Sequence, residues 1–233
     1  MQTAVHIAPD GCYGCPHSRG GRTTVIARAE DGEGQVAQKR RPNRIEQILE
    51  SALLLFDRHG YYATGMDDIG EATGLTGPAI YRHFSSKEEI LARLISERAT
   101  RSLELARKIA SAKGSPEEKL RNLIIFYADE LIDSPELASV AFYNRRSLSG
   151  ETREAVERLE RHHIDVWVRT LRAVRPALTP GEARLVVQGV VGMTVAATSG
   201  PSRKLPRDRR HSLIADMMTA AMLGCPEQPL RAG

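Results

Sequence analysis

The sequence predicts an all-α fold of about nine helices, with an N-terminal three-helix domain followed by a larger helical domain. From Pro42 onward, apolar residues recur at three- and four-residue spacing almost without interruption, which is the period of an amphipathic helix. Glycine and proline punctuate this pattern at helix-sized intervals, where they end or begin helices. Runs of β-branched residues such as Val186–Val187 would suit a strand, but no second strand is evident to pair with them. We therefore assign them to a helix.

The first helix is predicted over residues 44–60. Six apolar residues recur at three- and four-residue spacing to give one apolar face, and Gly60 provides a stop; they are Ile45, Ile48, Leu49, Ala52, Leu55 and Phe56. A short second helix follows from Thr64, which we expect to act as its N-cap with Asp67 completing a capping box. Gly74 supplies the left-handed residue that ends this helix, and Leu75 follows as a buried plug.

The third helix is predicted over residues 79–84, after Thr76-Gly77-Pro78. Two short helices joined by a tight turn that contains glycine are typical of a helix-turn-helix. Such a motif places the N-terminal end of its second helix against base edges in the major groove of DNA. Ser86 and Glu89 predict a further capping box, at the start of the next helix.

The remaining helices are longer and form the second domain. Pro116 suits the first position of a helix, where its missing N–H costs nothing, with Ser115 as the cap. The last two helices carry many apolar and small residues, so the fold or a second copy of the chain must cover them. The predicted ranges are 87–112, Pro116–Asp133, 135–146, 151–174, 182–199 and Arg207–Leu223.

Composition limits the class of protein. The 233 residues are 41% hydrophobic and 27% charged, which is ordinary for a globular protein. No apolar run reaches the ~18 residues of a membrane span and no signal peptide is evident, so we expect a cytoplasmic protein without a membrane partner. Cys12, Cys15 and His17 lack a fourth ligand for a structural zinc site, and Cys225 stands alone, so no metal and no cofactor are predicted.

The predicted DNA-binding residues are small, polar or basic. Gly77, Pro78 and Ala79 let the backbone approach base edges, and Ala79 suits a thymine methyl group. Tyr81, His83 and Lys87 suit phosphate oxygens, and the basic residues ahead of the first helix suit the flanking backbone or the minor groove. The full set is Lys39, Arg40, Arg41, Arg44, Thr64, Thr76, Gly77, Pro78, Ala79, Tyr81, Arg82, His83 and Lys87.

Net charge does not carry this prediction. Residues 39–93 contain eight Lys and Arg against eight Asp and Glu, so the segment is neutral although the whole chain has a net charge of +4. Affinity for DNA must therefore come from the placement of individual donors.

Residues 44–91 closely resemble the N-terminal domain of TetR-type (TetR/AcrR) repressors. The resemblance lies in Leu55-Phe56, Gly60-Tyr61, the Asp68-Ile69-Gly70-Glu71-Ala72 helix, Thr73-Gly74-Leu75-Thr76 and Ile80-Tyr81-Arg82-His83-Phe84. Gly70 replaces the usual alanine, and Gly77-Pro78 replaces the commoner polar-Gly pair. The resemblance implies a homodimer on a pseudo-palindromic double-stranded DNA operator, released by a small hydrophobic or acyl-CoA-like effector. It also implies that the last two helices of each subunit form the dimer interface.

We expect four segments along the chain. Residues 1–38 are expected to be a flexible tail, 39–86 the helix-turn-helix DNA-binding domain, 87–225 the effector-binding and dimerisation domain, and 226–233 a C-terminal tail. Arg145 and Arg146 would suit an acidic effector, although arginines also favour helix C-termini. The candidate effector contacts are Phe126, Tyr127, Leu131, Phe142, Tyr143, Arg146 and Trp167.

Two other classes of function are less favoured by the residues. An enzyme is not predicted, because the sequence has no nucleophile elbow, P-loop or dinucleotide-binding glycine motif. The alternative is a helical ligand-binding or adaptor protein that does not act on DNA. In such a protein the basic residues of the motif would have no functional role.

Overall fold

The computed structural model describes residues 43–198 and 200–224. Within these residues the fold is all-α, as predicted, and contains two short 3₁₀ turns, Arg145–Ser147 and Gly200–Lys204, but no strand. None of the helices in this part of the chain combines the length and the apolar character needed to cross a bilayer. The helices are α1 Arg44–His59, α2 Met66–Thr73, α3 Gly77–Ile80, α4 Lys87–Ser111, α5 Pro116–Asp133, α6 Pro135–Asn144, α7 Gly150–Val174, α8 Pro180–Ala197 and α9 Arg207–Leu223.

Helix ends follow local capping signals. At α1 the Asn43 side chain accepts the Glu46 N–H at 2.9 Å, and the Glu46 carboxylate accepts the Asn43 N–H at 2.8 Å. The same box caps α5, through the predicted Ser115. The predicted start of α8 was two residues late, because Thr179 caps that helix and Pro180 occupies its first position. The predicted helix 135–146 ends at Asn144 and continues as a 3₁₀ turn.

Two hydrophobic clusters build the described part of the fold. The first is centred on α1, α2 and α3 and includes Ile48, Phe56 and Ile80. The second joins α5, α7, α8 and α9 with the C-terminal half of α4, around the buried Trp167.

The first cluster continues beyond residue 86, where the sequence placed the end of the DNA-binding domain. Ile90, Leu91, Leu94 and Ile95 of α4 belong to it, and so do residues from α6 and from the start of α7. Those later residues are Val140, Ala141, Leu148 and Val156. The helix-turn-helix is therefore packed on its neighbours through a continuous apolar core.

An ion cluster adds a second tie between α1 and later elements. Arg203, in the connection from α8 to α9, makes a bidentate pair with Asp57 of α1 at 3.0 and 3.2 Å. The same guanidinium lies 3.4 Å from Glu136 of α6. Bidentate arginine–carboxylate pairs fix geometry as well as charge, so α1, α6 and this connection are held together.

Candidate functional site

The first helix of the helix-turn-helix, α2, begins one residue later than predicted. Gly65 is its N-cap, and the Gly65 N–H donates to the Asp68 carboxylate at 2.7 Å. The prediction that Thr64 caps α2 with Asp67 was therefore wrong. Thr64 is only 2% exposed and donates its hydroxyl to the Gly60 carbonyl at 3.0 Å, so its side chain does not reach a DNA surface.

The turn between α2 and α3 has the predicted geometry. Gly74 has φ +66°, a left-handed conformation that glycine adopts without strain. The next N–H, that of Leu75, donates to the Gly70 carbonyl at 2.8 Å, and the Leu75 side chain packs against the first core cluster. This turn fixes the direction in which α3 leaves α2.

The recognition helix α3 is shorter than predicted and begins earlier. It spans Gly77–Ile80, and residues 81–83 form a turn rather than a further helical stretch. Ala79 is 9% exposed and packs inward, so the prediction that its methyl group faces a base does not hold in the free protein. The outward side chains around this helix are Thr76, Pro78, Tyr81, Arg82 and His83.

Lys87 lies at the start of α4 and makes three hydrogen bonds within the protein. Its Nζ donates to the carbonyl oxygens of Tyr61 at 2.9 Å, Tyr62 at 3.2 Å and Thr64 at 2.9 Å. It also lies 4.7 Å from the centre of the Tyr61 ring. A lysine has three donors, so this arrangement leaves none for the predicted phosphate contact. Lys87 instead fastens α4 to the loop between α1 and α2.

The N-terminus of α4 differs in detail from the predicted capping box. The Ser86 side chain accepts the Glu89 N–H at 3.2 Å, but the Glu89 carboxylate accepts from the N–H and the hydroxyl of Ser85, both at 2.7 Å. These bonds from Ser85 lower the pKa of Glu89.

The basic residues before α1 are only partly described. Arg44 is exposed at the first position of α1, where its guanidinium donates to the Gln47 side chain at 2.9 Å. Lys39, Arg40 and Arg41 lie outside the described residues, as do Cys12, Cys15, His17 and Cys225.

A cavity of about 350 Å³ lies in the second part of the fold, within the range of small-molecule sites. Residues from α4 to α8 and the 3₁₀ turn after α6 line it, and they include both apolar side chains and four arginines. The lining residues are Arg98, Tyr127, Ala138, Ala141, Phe142, Arg145, Glu157, Glu160, Arg161, His163, Ile164, Arg184, Gln188, Val191 and Val195.

Of the predicted effector contacts, only Tyr127 and Phe142 line this cavity. Trp167 is 1% exposed and packs behind Tyr127, with ring centres 5.8 Å apart. Leu131 is fully buried in the second core cluster. The half-buried Phe126 and the exposed Tyr143 and Arg146 lie elsewhere.

Arg145, not Arg146, is the cavity arginine after α6. It stacks over the Phe142 ring at 4.9 Å, donates to the Phe142 carbonyl and pairs with Glu160 at 3.8 Å. The helix ends at Asn144, so the change to a 3₁₀ turn decides which of the two arginines faces inward.

The effector contacts predicted from the sequence did not include Arg98 and His163, two polar residues of the cavity wall; His162 and His163 were interpreted as surface or pocket polar groups. Arg98 and His163 both interrupt buried stripes at helical spacing. Arg98 follows Leu94 and Ile95 on the inner face of α4, and His163 precedes Val166 and Trp167 on that of α7. A polar residue within a buried stripe is the signal that could have found them.

His163 is held neutral within a polar network. The Trp167 indole N–H donates to its Nε2 at 3.2 Å, and since an indole nitrogen can only donate, the His163 proton resides on Nδ1. The Ser102 hydroxyl lies 3.3 Å from the same Nε2 but donates to Glu130 at 2.7 Å. Burial, with a smaller contribution from Arg98, lowers the pKa of His163 to about 4.

This low pKa predicts acid sensitivity. Unfolded chains protonate His163 near its ordinary value of 6.5 but the folded protein does so only near 4, so stability is complete above pH 6.5 and falls as the pH drops between these values. We expect His163 to account for a loss of about 3 kcal/mol by pH 4. Urea unfolding across this range should show a shallower loss for His163→Gln. The exposed neighbour supplies the control, His162→Gln, and equal slopes in the two variants would contradict the assignment.

Two family models match the chain. Residues 48–94 match the model described as bacterial regulatory proteins of the tetR family, and residues 113–199 match a tetracyclin repressor-like C-terminal domain. Together they cover more than half of the sequence, and the first contains all of α2 and α3.

Curated relatives carry regulator names. The chain is 24% identical over 159 residues to the HTH-type transcriptional activator FasR of Mycolicibacterium smegmatis, covering 66% of this chain and 70% of FasR. It is 26% identical to the HTH-type transcriptional regulator BetI of Rhizobium meliloti, covering 65% and 74%. The HTH-type transcriptional repressor KstR2 of Mycobacterium tuberculosis is 30% identical over a shorter stretch, 40% of this chain and 44% of KstR2.

Solved structures share the fold at low identity. A TetR-family regulator from Bordetella parapertussis superposes with a TM-score of 0.69 at 19% identity, covering 80% of this chain and 99% of that one. FadR from Bacillus subtilis, solved in complex with stearoyl-CoA, gives 0.63 at 21% identity, with coverage of 77% and 98%.

Proposed function

We propose, from the premise that this chain belongs to the TetR family of bacterial regulatory proteins, that it is a repressor released from its operator by a small organic effector. The family consists of DNA-binding transcriptional regulators and not of enzymes. The proposal therefore concerns the direction of regulation, the effector and the surfaces used by this chain.

The observation that carries the proposal is the position of α6. Ala138 and Phe142 of this helix line the cavity, and Ala141 both lines the cavity and belongs to the core cluster of the helix-turn-helix. A ligand that fills the cavity therefore contacts the same helix on which α1 packs. Because a packed interior does not deform freely, a shift of α6 reaches the helix-turn-helix.

Release of DNA requires the cavity-filled state to bind the operator more weakly than the empty state. Two recognition helices must meet half-sites about one turn of DNA apart, so a small change in their separation lowers affinity. The Arg203 tie between α1 and α6 supports transmission along this route. We therefore propose that effector binding lowers operator affinity, as in a repressor that responds to its inducer.

The dimer surface proposed from the resemblance lies on α8 and α9. Leu185 is 72% exposed, and Gly189, Met193 and Ala196 follow it along one exposed stripe of α8. Leu213, 41% exposed, stands on the neighbouring α9, which packs beside α8. A contiguous apolar and small-residue surface of this kind suits a second copy of the chain, and TetR regulators are dimeric.

The residues that touch DNA are proposed from exposure. Tyr81 is 53% exposed, and Arg82 and His83 are exposed beside it, so these side chains suit phosphate oxygens. Thr76 and Pro78 are the exposed side chains at the N-terminal end of α3, the end that faces base edges in this motif.

The test is operator binding by purified protein, using DNA from the protein's own upstream region in fluorescence anisotropy. Arg82→Ala should weaken binding about tenfold and reduce the slope of log affinity against log salt by about one, because one phosphate contact is lost. Tyr81→Ala should weaken binding by a similar factor with little change in slope. Arg121→Ala, an exposed arginine of α5, is the matched control.

An unchanged affinity and salt slope in both variants would contradict the assigned DNA surface. Repression itself is tested with a reporter gene under the same upstream region. Deleting the regulator should raise expression, and a fall in expression would instead identify an activator.

A further inference from the structure

One of the four cavity arginines lacks a carboxylate partner. Arg145 pairs with Glu160 at 3.8 Å, Arg161 pairs with Glu157 at 3.8 Å, and Arg184 pairs with Asp165. The fourth, Arg98, interacts with the Tyr127 hydroxyl and is attracted by Glu160, but it makes no close ion pair with a carboxylate of the described residues, and its Nη2 atom is buried there without a hydrogen-bond partner.

A buried guanidinium N–H without an acceptor is costly. Arginine does not lose its proton in proteins, so Arg98 cannot avoid the cost by becoming neutral. Leaving a buried charged donor unsatisfied costs more than leaving a neutral one. A hydrogen-bond acceptor that enters the cavity would recover this energy. Arg98 is therefore suited to contact an anionic ligand.

We infer that the cavity binds a small amphipathic carboxylic acid as its effector, with the ligand carboxylate on Arg98 and its hydrocarbon part on the apolar residues of the lining. This inference depends on the proposed function, because it names the class of effector for the same cavity. A carboxylate matches the planar donor fork of arginine in two parallel hydrogen bonds. His163 lines the same cavity with its Nε2 already occupied by Trp167, so its Nδ1–H is the ring donor left for a ligand.

The apolar residues of the lining suit an apolar body. They are Phe142, Ile164, Val191 and Val195, and they present ring and methyl surface without hydrogen-bonding groups. A ligand that is charged at one end and apolar at the other can pair with Arg98 and also contact the apolar residues. An uncharged hydrocarbon would leave the Arg98 Nη2 atom without an acceptor. A polyanion would have charged groups buried against the apolar side chains, which is costly.

The volume limits the size of the acid. At about 350 Å³ the cavity lies near the lower end of the range for small-molecule sites. It therefore suits a medium-chain fatty acid or an arylalkanoic acid better than a complete acyl-CoA. In a thioester the carboxylate of the acid is replaced by an uncharged group, so the acyl part of an acyl-CoA would not supply a negative charge to Arg98.

The position of Arg98 connects the acid to DNA binding. Arg98 and Lys87 are on the same helix, eleven residues and so about 16 Å apart along its axis. A carboxylate bound at Arg98 acts on the helix whose first residue fastens the loop in front of α2. The acid thus contacts α4 and α6, which both continue from the cavity into the first core cluster.

The experiment compares acids with their isosteric amides by isothermal titration calorimetry on the full chain. The probes are octanoate, octanamide, 4-phenylbutyrate, 4-phenylbutyramide and octanoyl-CoA. For the wild-type protein we expect each acid to bind about 10- to 100-fold more tightly than its amide, because the amide cannot form the charged pair. Arg98→Met should remove this preference, Arg98→Lys should retain part of it, and Arg101→Met on the exposed face of α4 should leave it unchanged.

The outcomes separate the inference from the proposed function. Equal affinity for acid and amide, tighter binding of octanoyl-CoA than octanoate, or no binding of either acid at millimolar concentration would each overturn the carboxylate inference. None of these results affects operator binding, which the anisotropy assay measures without ligand. The acid–amide comparison in the wild-type protein needs no variant, so it decides the question even if Arg98→Met fails to fold.

Discussion

Replacing Lys87 with methionine should abolish operator binding and destabilise the protein by about 3 kcal/mol. The ammonium group satisfies three carbonyl oxygens of the loop between α1 and α2, those of Tyr61, Tyr62 and Thr64. Hydrogen bonds from a charged donor contribute about 1.5–3 kcal/mol each, and partial exposure of this site reduces their sum. Methionine keeps the apolar stem that packs there but leaves the three acceptors without their donor.

The loss of DNA binding is expected to exceed the loss of stability. The loop held by Lys87 leads directly into α2, so its release frees the first helix of the helix-turn-helix from α4. Chemical denaturation and anisotropy on the same samples measure both effects. Lys108→Met, an exposed lysine near the end of α4, is the control. Near-native stability together with a reduced salt slope in Lys87→Met would show instead that the side chain contacts phosphate.

Replacing Leu185 with glutamate should convert the protein to a monomer. The side chain is 72% exposed in one chain and belongs to the proposed dimer surface on α8. In a dimer the substitution would bury an unpaired charge, which costs several kcal/mol and appears once in each subunit. Operator affinity should then fall at least about 100-fold, because a monomer contacts a single half-site.

Sedimentation velocity gives the subunit number and anisotropy gives the affinity. Leu105→Glu is the matched control, an equally drastic change at a 38% exposed leucine of α4. Leu185→Met should leave both quantities unchanged. A dimeric Leu185→Glu protein with wild-type affinity would place the interface on another surface.

Local signals in the sequence predicted the helices well. The ranges of α5 and α9 were predicted without error, because Ser115 and Pro116 mark the start of α5 and Gly224 follows the last residue of α9. The left-handed Gly74 was likewise predictable from the turn that it must make. Where two adjacent residues could both cap, as with Thr64 and Gly65, the sequence alone chose wrongly.

Side chains whose partners are distant in sequence were not predictable in the same way. Lys87 was assigned to phosphate, and its actual acceptors lie 23 to 26 residues earlier in the chain. Ala79 was assigned to a base, and the packing of a four-residue helix turns it inward instead. At the cavity, the sequence pattern of α4 places the polar Arg98 within a stripe of buried apolar residues. Only the arrangement of α4 against α7 shows that Arg98 is left without a carboxylate while three neighbouring arginines are paired.

The shared helix α6 has a thermodynamic consequence for how such a protein senses its effector. If cavity and operator are coupled through one helix, the factor by which the effector weakens DNA binding equals the factor by which DNA weakens effector binding. Protein on the operator would then be a poorer sensor than protein free in solution. The free pool would fill first as effector concentration rises, so the number of unoccupied copies in the cell would set the concentration at which the gene responds.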